Sequence, residues 1–318
     1  MNLQDKIKEA ERTLKLAADM SDYYYHKPLI ICYSGGKDSD VMLDIAKRCL
    51  KSSQFEVLNS HTTVDAPETV YYIRKVFKRL ESEGIKTEVR LPRFKGELTS
   101  MWKLIVYNLN PPTRLNRYCC RLLKEVSAPN RMIAVGVREA ESKNREGRDS
   151  FQTWGGNKNE GEYRSTAHIY AMFKLDQYGG EDAYQCEMIK ASKANEKVVV
   201  NPIYRFSDSD IWEYIKVNNI EINPLYAKGF NRIGCIGCPM GDTKNQTIQF
   251  ARYPKYKRLY IKAFDRMLVE RKKKGLPFRK YEFKNGEEVM RWWLGENPKQ
   301  VRIEDIMEDM KGNENEQS

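Results

Sequence analysis

An apolar run, Leu29–Tyr33, passes directly into SGGKDSD at 34–40 and then into a helical pattern from Val41 to Leu50. A strand joined to a helix through two glycines, a lysine and acids leaves few architectures open. The alternation continues. Phe55–Asn59 reads as a second strand, a helix runs from Pro67 to about Glu83 with Gly84 as its stop, and Thr87–Leu91 reads as a third strand. Helical patterns at 97–109 and 119–127 lead to further apolar runs at Met132–Val137 and Val198–Val200. Leu3, Ile7, Ala10, Leu14 and Ala17 predict a helix over 2–20, and SDSDIWEYIKVNN at 207–219 opens with an N-cap signature and predicts another. Strands alternating with helices predict an α/β fold with a doubly wound, mostly parallel sheet covered on both faces. Its crossovers are right-handed and its ligands sit at the carboxyl ends of the strands.

The loop between the first strand and the next helix has the chemistry of a phosphate site. Gly35 and Gly36 let backbone approach an anion without Cβ atoms in the way, and the free N–H groups of the following helix point at it. Lys37 adds a full positive charge, Asp38 suits a Mg²⁺ accompanying a polyphosphate, and Ser34 and Ser39 supply hydroxyls. An ordinary strand-to-helix turn needs none of these charges. The string is not the GxxxxGK[ST] loop, because its lysine lies inside a tighter turn.

With 318 residues, 41% hydrophobic and 31% charged, the chain is neither disordered nor membrane-embedded. No apolar run approaches the ~18 residues of a membrane-spanning helix. The first twenty residues are amphipathic and charged, without a signal core, so a cytoplasmic protein with no membrane partner is expected. A nucleotide-binding domain is expected over 1–245. It carries a polar, glycine-rich and mobile loop at about 142–196 that could close over the site. Residues 246–318 are expected to form a small, basic, aromatic, α-rich C-terminal part with an acidic tail from Glu304.

Seven cysteines in such a chain point to metal ligands or catalytic thiols more than to disulfides. Cys119 and Cys120 are adjacent, and Cys235 and Cys238 form a CxxC. Four thiolates are the usual complement of a [4Fe–4S] cluster or a structural zinc. Redox dithiols and buried structural thiols are the alternatives. Arg117, Arg121 and Lys124 flank the CC pair. Cys32 and Cys49 read as small core residues, and Cys186 as a thiol beside the long loop that could carry sulfur.

The net charge is +11, and Arg252–Lys284 holds thirteen basic against three acidic residues. Tyr253, Tyr256, Tyr260, Phe264, Phe278, Tyr281 and Phe283 interleave them. Phosphate contacts with base stacking would make this a nucleic-acid segment, whereas the fourfold spacing of Tyr256, Tyr260 and Phe264 suits a buried helical stripe.

SGGKDS resembles the signature of the PP-loop ATP pyrophosphatases, which cleave ATP between the α and β phosphates. Over about 27–245 the chain looks most like the phosphoadenylyl-sulfate (PAPS) reductase family. TTVDAPET (62–69) resembles the segment lining that family's nucleotide pocket, AVGVREAESKNR (134–145) its phosphate-proximal segment, and 201–240 its long closing stretch. The resemblance implies an adenine nucleotide alpha hydrolase-like, Rossmann-like fold. It implies nucleotide binding by Ser34, Gly35, Gly36, Lys37, Asp38, Ser39, Asp65, Gly136 and Arg138, with Lys37, Asp38 and Arg138 catalytic. From the residues alone, Arg138 could equally pair with Glu141, and Asp65 could cap the turn before Pro67. RYCCRLLKE and GCIGCPM resemble the cysteine patterns of cluster-bearing sulfonucleotide reductases and of DNA phosphorothioation sulfur-transfer proteins. This implies a [4Fe–4S] cluster on Cys119, Cys120, Cys235 and Cys238 in preference to zinc.

Two departures shape the functional expectation. No cysteine follows Cys238, so the C-terminal thiol that attacks the sulfonucleotide in the reductases is absent from this sequence. The phosphate loop, usually degraded in those reductases, is intact. Both favour ATP with Mg²⁺ as the ligand: adenylation of an acceptor oxygen, loss of pyrophosphate, then sulfur transfer from a donor protein, with nucleic acid a candidate acceptor. Reduction of adenylyl sulfate or PAPS is the rival expectation. A non-catalytic nucleotide- or nucleic-acid-binding subunit is a second.

Overall fold

The computed structural model describes residues 1–125, 128–141, 149–154, 163–178, 197–278 and 282–296. Cys186, Tyr281 and the acidic tail lie outside them. The chain falls into two compact units. The first comprises 1–60, 67–90 and 126–233, and the second 61–66, 91–125 and 234–318. Each is assembled from separate stretches of sequence.

The first unit is built on a seven-stranded sheet. In chain order its strands are β1 (Leu29–Cys32), β2 (Phe55–Ser60), β3 (Thr87–Arg90), β6 (Met132–Ala134), β7 (Phe151–Trp154), β8 (Tyr163–Arg164) and β9 (Lys197–Val200). They stand in the order β3-β2-β1-β6-β9-β7-β8. The five from β3 to β9 are mutually parallel, with Ile31 of β1 opposite Val57 of β2 and Ala134 of β6. The mostly parallel α/β sheet expected from the alternation is therefore present. Its helices are α1 (Leu3–Tyr25), α2 (Lys37–Cys49), α3 (Pro67–Ser82), α6 (Thr166–Tyr178) and α7 (Asp208–Val217).

The core follows from two periodicities. β1 and β2 bury Leu29, Ile31, Phe55 and Val57 on one face and Ile30 and Leu58 on the other. That is the near-continuous apolar pattern of a strand covered on both sides. The helices contribute stripes at helical spacing, such as Ala10, Leu14 and Ala17 of α1 and Tyr72, Val76 and Leu80 of α3. Proline opens α3, where its missing N–H is no loss. Among the described residues no helix is long and apolar enough to cross a membrane.

The expected loop at 142–196 is corrected in its described parts. β7 pairs antiparallel with β9 and with β8, and α6 follows. Phe151, Ile169 and Phe173 are buried in the main core. These apolar residues are thinly spaced among polar ones, so composition conceals the strands and helix they anchor.

The second unit contains a short hairpin, β4 (Arg93–Phe94) and β5 (Glu97–Leu98). Its helices are α4 (Met101–Asn108), a single turn α5 (Tyr118–Cys120), α8 (Thr243–Arg252), α9 (Pro254–Lys273) and α10 (Gly286–Trp293). The helix expected over 97–109 thus begins only at Met101. That expected over 119–127 is one α turn followed by a π turn, Arg121–Glu125. α9 packs against α4 and α10. Tyr260, Phe264 and Met267 are almost fully buried, and Tyr260 meets Trp102 edge-on at 4.8 Å.

Candidate functional site

The order of the sheet places the glycine-rich loop. From β1 the chain winds outward through β2 to β3, then returns to lay β6 along the other edge of β1. The loops after β1 and β6 therefore leave the sheet in opposite directions at their carboxyl ends, which opens a crevice there. The first of these loops is Ser34–Gly36, and the second carries Gly136 and Arg138.

The loop is held shut by its own hydroxyl. Ser39 Oγ receives the N–H of Ser34 at 3.3 Å and of Gly36 at 3.2 Å, and donates to Gly36 O at 2.7 Å. Gly35 has φ +71°, and a Cβ there would stand 2.9 Å from Ile73 Cγ1, so only glycine suits it. Gly136 is needed for another reason: a Cβ would lie 3.3 Å from the backbone carbon of Asp38. Helix α2 starts at Lys37, four residues earlier than its apolar pattern, because Gly36 in extended conformation caps it. Asn223 Nδ2 donates to Gly35 O at 3.1 Å, and the Tyr226 hydroxyl accepts from the N–H of Lys37 at 2.9 Å.

Three of the expected catalytic side chains meet here. Arg138, 1% exposed, sets Nε 2.6 Å from Asp38 Oδ1. Lys37 Nζ lies 3.4 Å from Asp38 Oδ2. A fourth residue, Asp208, escaped the sequence reading. Its Oδ1 accepts from Arg138 Nη2 at 2.8 Å and lies 3.4 Å from Lys37 Nζ. Desolvation alone would raise the Asp208 carboxyl. The hydrogen bond and charge of Arg138, together with Lys37, outweigh it and hold the group below the ordinary carboxylate value. The signal was the first acid of SDSD, masked by its fit to a helix cap. The Arg138 side chain engages Asp38, Asp208 and the Phe206 carbonyl.

Asp40, one turn along α2, anchors the loop from behind. The Tyr33 hydroxyl donates to its Oδ1 at 2.5 Å and the Tyr72 hydroxyl at 3.1 Å, while Oδ2 is buried without a partner. Burial pushes its carboxyl up from 3.8 to about 7, against the hydrogen bonds of Tyr33 and Tyr72 and the charge of Arg79. The folded chain thus holds this proton more tightly than the unfolded chain. The resulting stability is present below about pH 4 and is lost as pH rises through 7. Asp40→Asn removes the titration. Its stability advantage over the native chain is expected to grow from pH 4 to 8 by about 1–3 kcal/mol and then level off. Urea midpoints across that range measure it, and a difference flat with pH would refute it.

The second unit gathers the cysteines. Cys119 lies in the electrostatic field of Cys120, Cys235 and Cys238, so both pairs share one neighbourhood. The thiol of Cys119 is pushed up by its hydrogen bond to Cys120 and by burial. That bond, with Lys124 and Arg117, holds Cys120 below the ordinary thiol value. Cys235, raised by burial, donates to Thr62 Oγ1 at 3.4 Å. Among the described residues no three or more His, Cys, Asp or Glu side chains are grouped closely enough to hold a metal ion, and no disulfide forms. In donor chemistry alone the set suits a thiolate-ligated group, four soft sulfurs belonging to one unit. Cys32 and Cys49 pack against the apolar clusters of the first unit, and burial pushes both thiols up to about 11.

Asp65 also belongs to the second unit, where it forms an isolated bridge with Cys235. Its carboxylate accepts from Thr62 N and Thr62 Oγ1, both at 2.8 Å, and faces His61 Nδ1 at 3.2 Å. Burial opposes its ionisation, but these partners hold it below the ordinary value. Thr63 beside it has φ +67°, an uncommon strain for a β-branched residue.

Of the spaced stripe, Tyr260 and Phe264 are buried and Tyr256 is half-buried, as are Phe278 and Phe283. Tyr253, Tyr260 and Phe264 point inward, and Tyr260 donates to Ile236 O at 3.0 Å. Arg271 is buried too, 3.6 Å above the ring of Phe278. Lys255, Arg258, Lys262 and Arg266 lie at spacings that place them on one face of α9.

A mostly parallel sheet with a glycine-rich, lysine-bearing loop at its switch point defines a doubly wound α/β protein. The phosphoadenosine phosphosulfate reductase domain matches residues 28–241, and the chain belongs to that family. An uncharacterized protein of Methanocaldococcus jannaschii is 25% identical over 87% of this chain and 54% of its own length. The adenosine 5'-phosphosulfate reductase of Neisseria meningitidis is 40% identical over 17% of this chain and 22% of its own. The chain spans about half or less of the lengths of the first curated relatives it matches. Among solved structures, PAPS reductase from Candida auris aligns over 74% of this chain and 96% of its own at 14% identity and TM-score 0.39. The U34-tRNA thiolase of Methanococcus maripaludis, solved with its [4Fe–4S] cluster, aligns over 85% and 80% at 13% identity and TM-score 0.42.

Proposed function

We propose that the chain is an ATP-dependent adenylating enzyme that activates an acceptor oxygen for sulfur transfer. The observation that carries this reading is the convergence of Lys37, Asp38 and Arg138 beside the Gly35–Ser39 loop at the sheet's switch point. The cations of Lys37 and Arg138 take the polyphosphate, and Asp38 takes its Mg²⁺. The acceptor oxygen attacks the α-phosphorus, the bond to the bridging oxygen breaks, and pyrophosphate leaves. Lys37 and Arg138 stabilise the charge gathering on that leaving group. A sulfur nucleophile from a donor then displaces adenylate. Cys119, Cys120, Cys235 and Cys238 would hold a [4Fe–4S] cluster, which when bound supplies a thiolate-ligated iron centre in the sulfur-handling unit. Gly136 and the hydroxyls of Ser34 and Ser39 complete the proposed nucleotide site of the first unit. The test is pyrophosphate release from ATP·Mg²⁺, with Lys37→Ala abolishing it. ATP binding that Lys37→Ala leaves unchanged would overturn the reading, and sulfite release from adenylyl sulfate would favour the reductase alternative.

The acceptor in this reading is nucleic acid. The four-cation face of α9, about 16 Å long at 1.5 Å per residue, supports this. Because Tyr260 and Phe264 face inward, contact along this face would be chiefly to phosphates. Four phosphate contacts give a slope of log K against log salt of about −3.6. Charge reversal at Arg258 and Lys262 is expected to flatten it by about 2, measured by fluorescence anisotropy on a labelled duplex. A slope unaltered by the reversal would remove α9 from the interface.

A further inference from the structure

We infer that Asp208 is a built-in counter-anion that occupies the two phosphate-holding cations and sets how strongly an anion must bind to enter the site. The inference deepens the nucleotide reading and rests on it. One oxygen, Asp208 Oδ1, lies 2.8 Å from Arg138 Nη2 and 3.4 Å from Lys37 Nζ. It stands where a phosphate oxygen bridging those cations would stand. With Asp38 the four charges sum to zero, so the resting site holds no excess charge to draw anions.

Two features mark Asp208 as the displaceable member. Its side chain is 69% exposed, whereas that of Asp38 is 19% and that of Arg138 is 2%. Asp208 can therefore swing into water with little desolvation, while Arg138 cannot leave. The helix behind does not need it either. The cap of α7 is made by Ser207, whose hydroxyl accepts from Asp210 N and whose N–H donates to Asp210, which also pairs with Lys6.

The buried contact is also incompletely satisfied. Arg138 Nε and Asp38 Oδ1 lie 2.6 Å apart, yet neither has an aligned hydrogen-bond partner. A buried arginine whose Nε lacks an aligned bond is set for a ligand that offers better geometry. A ligand that must first displace Asp208 binds with its intrinsic affinity reduced by the fraction of time the cations are free. The reduction is the same factor for every anion. It pushes single phosphates and sulfates toward negligible occupancy, while a polyphosphate with further contacts along the glycine loop stays bound.

Calorimetric titration of the full chain with inorganic pyrophosphate and inorganic phosphate tests this. Asp208→Asn is expected to tighten both by a similar factor, about tenfold, the scale of displacing one part-exposed ion pair. Asp208→Glu, which keeps the carboxylate, is expected to stay near the native affinity. Unchanged or weaker binding in Asp208→Asn, with Lys37→Ala still weakening pyrophosphate, overturns the counter-anion alone. If Lys37→Ala also leaves pyrophosphate binding untouched, the phosphate-site reading falls and takes this inference with it.

Discussion

Replacing Arg138 by alanine is expected to slow pyrophosphate release from ATP by about 10³-fold or more, with the loss carried mainly by kcat. The guanidinium is fixed before any ligand arrives: Nη1 donates to Phe206 O at 3.1 Å, and the side chain is almost wholly buried. A donor so held needs no reorganisation when charge develops on the leaving group, and loss of one preorganised donor costs about 10²–10³ in rate. Arg138 adds a full charge, and its removal leaves the Asp38 carboxylate, itself largely buried, beside the phosphates. Arg138→Lys tests the geometry. A lysine keeps the charge but cannot reach Asp38, Asp208 and the Phe206 carbonyl together, so less than a tenth of the native rate is expected. Single-turnover kinetics at saturating ATP separate chemistry from binding. Native kcat with only a raised KM would assign Arg138 to ground-state binding and refute its part in stabilising the leaving group.

The parts of this site that were legible in the sequence are those made by adjacent residues. SGGKDS carries its own turn, hydroxyl clasp and cation within six positions, so the loop could be placed before any fold was known. Arg138 was named through the family resemblance, because its own neighbours left it open between this loop and Glu141. Asp208 was not, since what brings it to Lys37 is the return of the chain along β9, a crossover that local spacing does not encode. The same limit explains 142–196. Phe151, Ile169 and Phe173 find their partners on β9 and α1, and a polar, glycine-rich stretch gives little local sign of it. Both readings of the basic segment had sequence support, and burial divided them. Tyr260 and Phe264 went to the core by helical periodicity, and the charges at the complementary positions remained outside.

Single Cys→Ser changes at Cys119, Cys120, Cys235 and Cys238 are expected to behave alike, each removing most of the iron from protein prepared without oxygen. The same change at Cys32 or Cys49 is expected to remove none. A cluster needs its ligands jointly, so loss of one leaves an incomplete set, and serine is a poor substitute for soft thiolate. The native chain is expected to hold about four irons with a broad visible absorption that fades on reduction. The surroundings divide the sulfurs: the bond to Cys120 and burial raise Cys119, and burial raises Cys235. Cys120 is already held below the ordinary thiol value, and Lys124 lies in the field of Cys235, Asp65, Cys120 and Cys238, which raises its own affinity for a proton. Buried thiolates without such a cation would repel one another and be costly to form. One zinc per chain with no visible band would keep the four ligands and refute the cluster. Iron retained in the Cys119 or Cys238 variant would break the set itself. Because the four cysteines lie within the second unit, far-ultraviolet circular dichroism of each variant distinguishes loss of the metal from loss of that unit's helices.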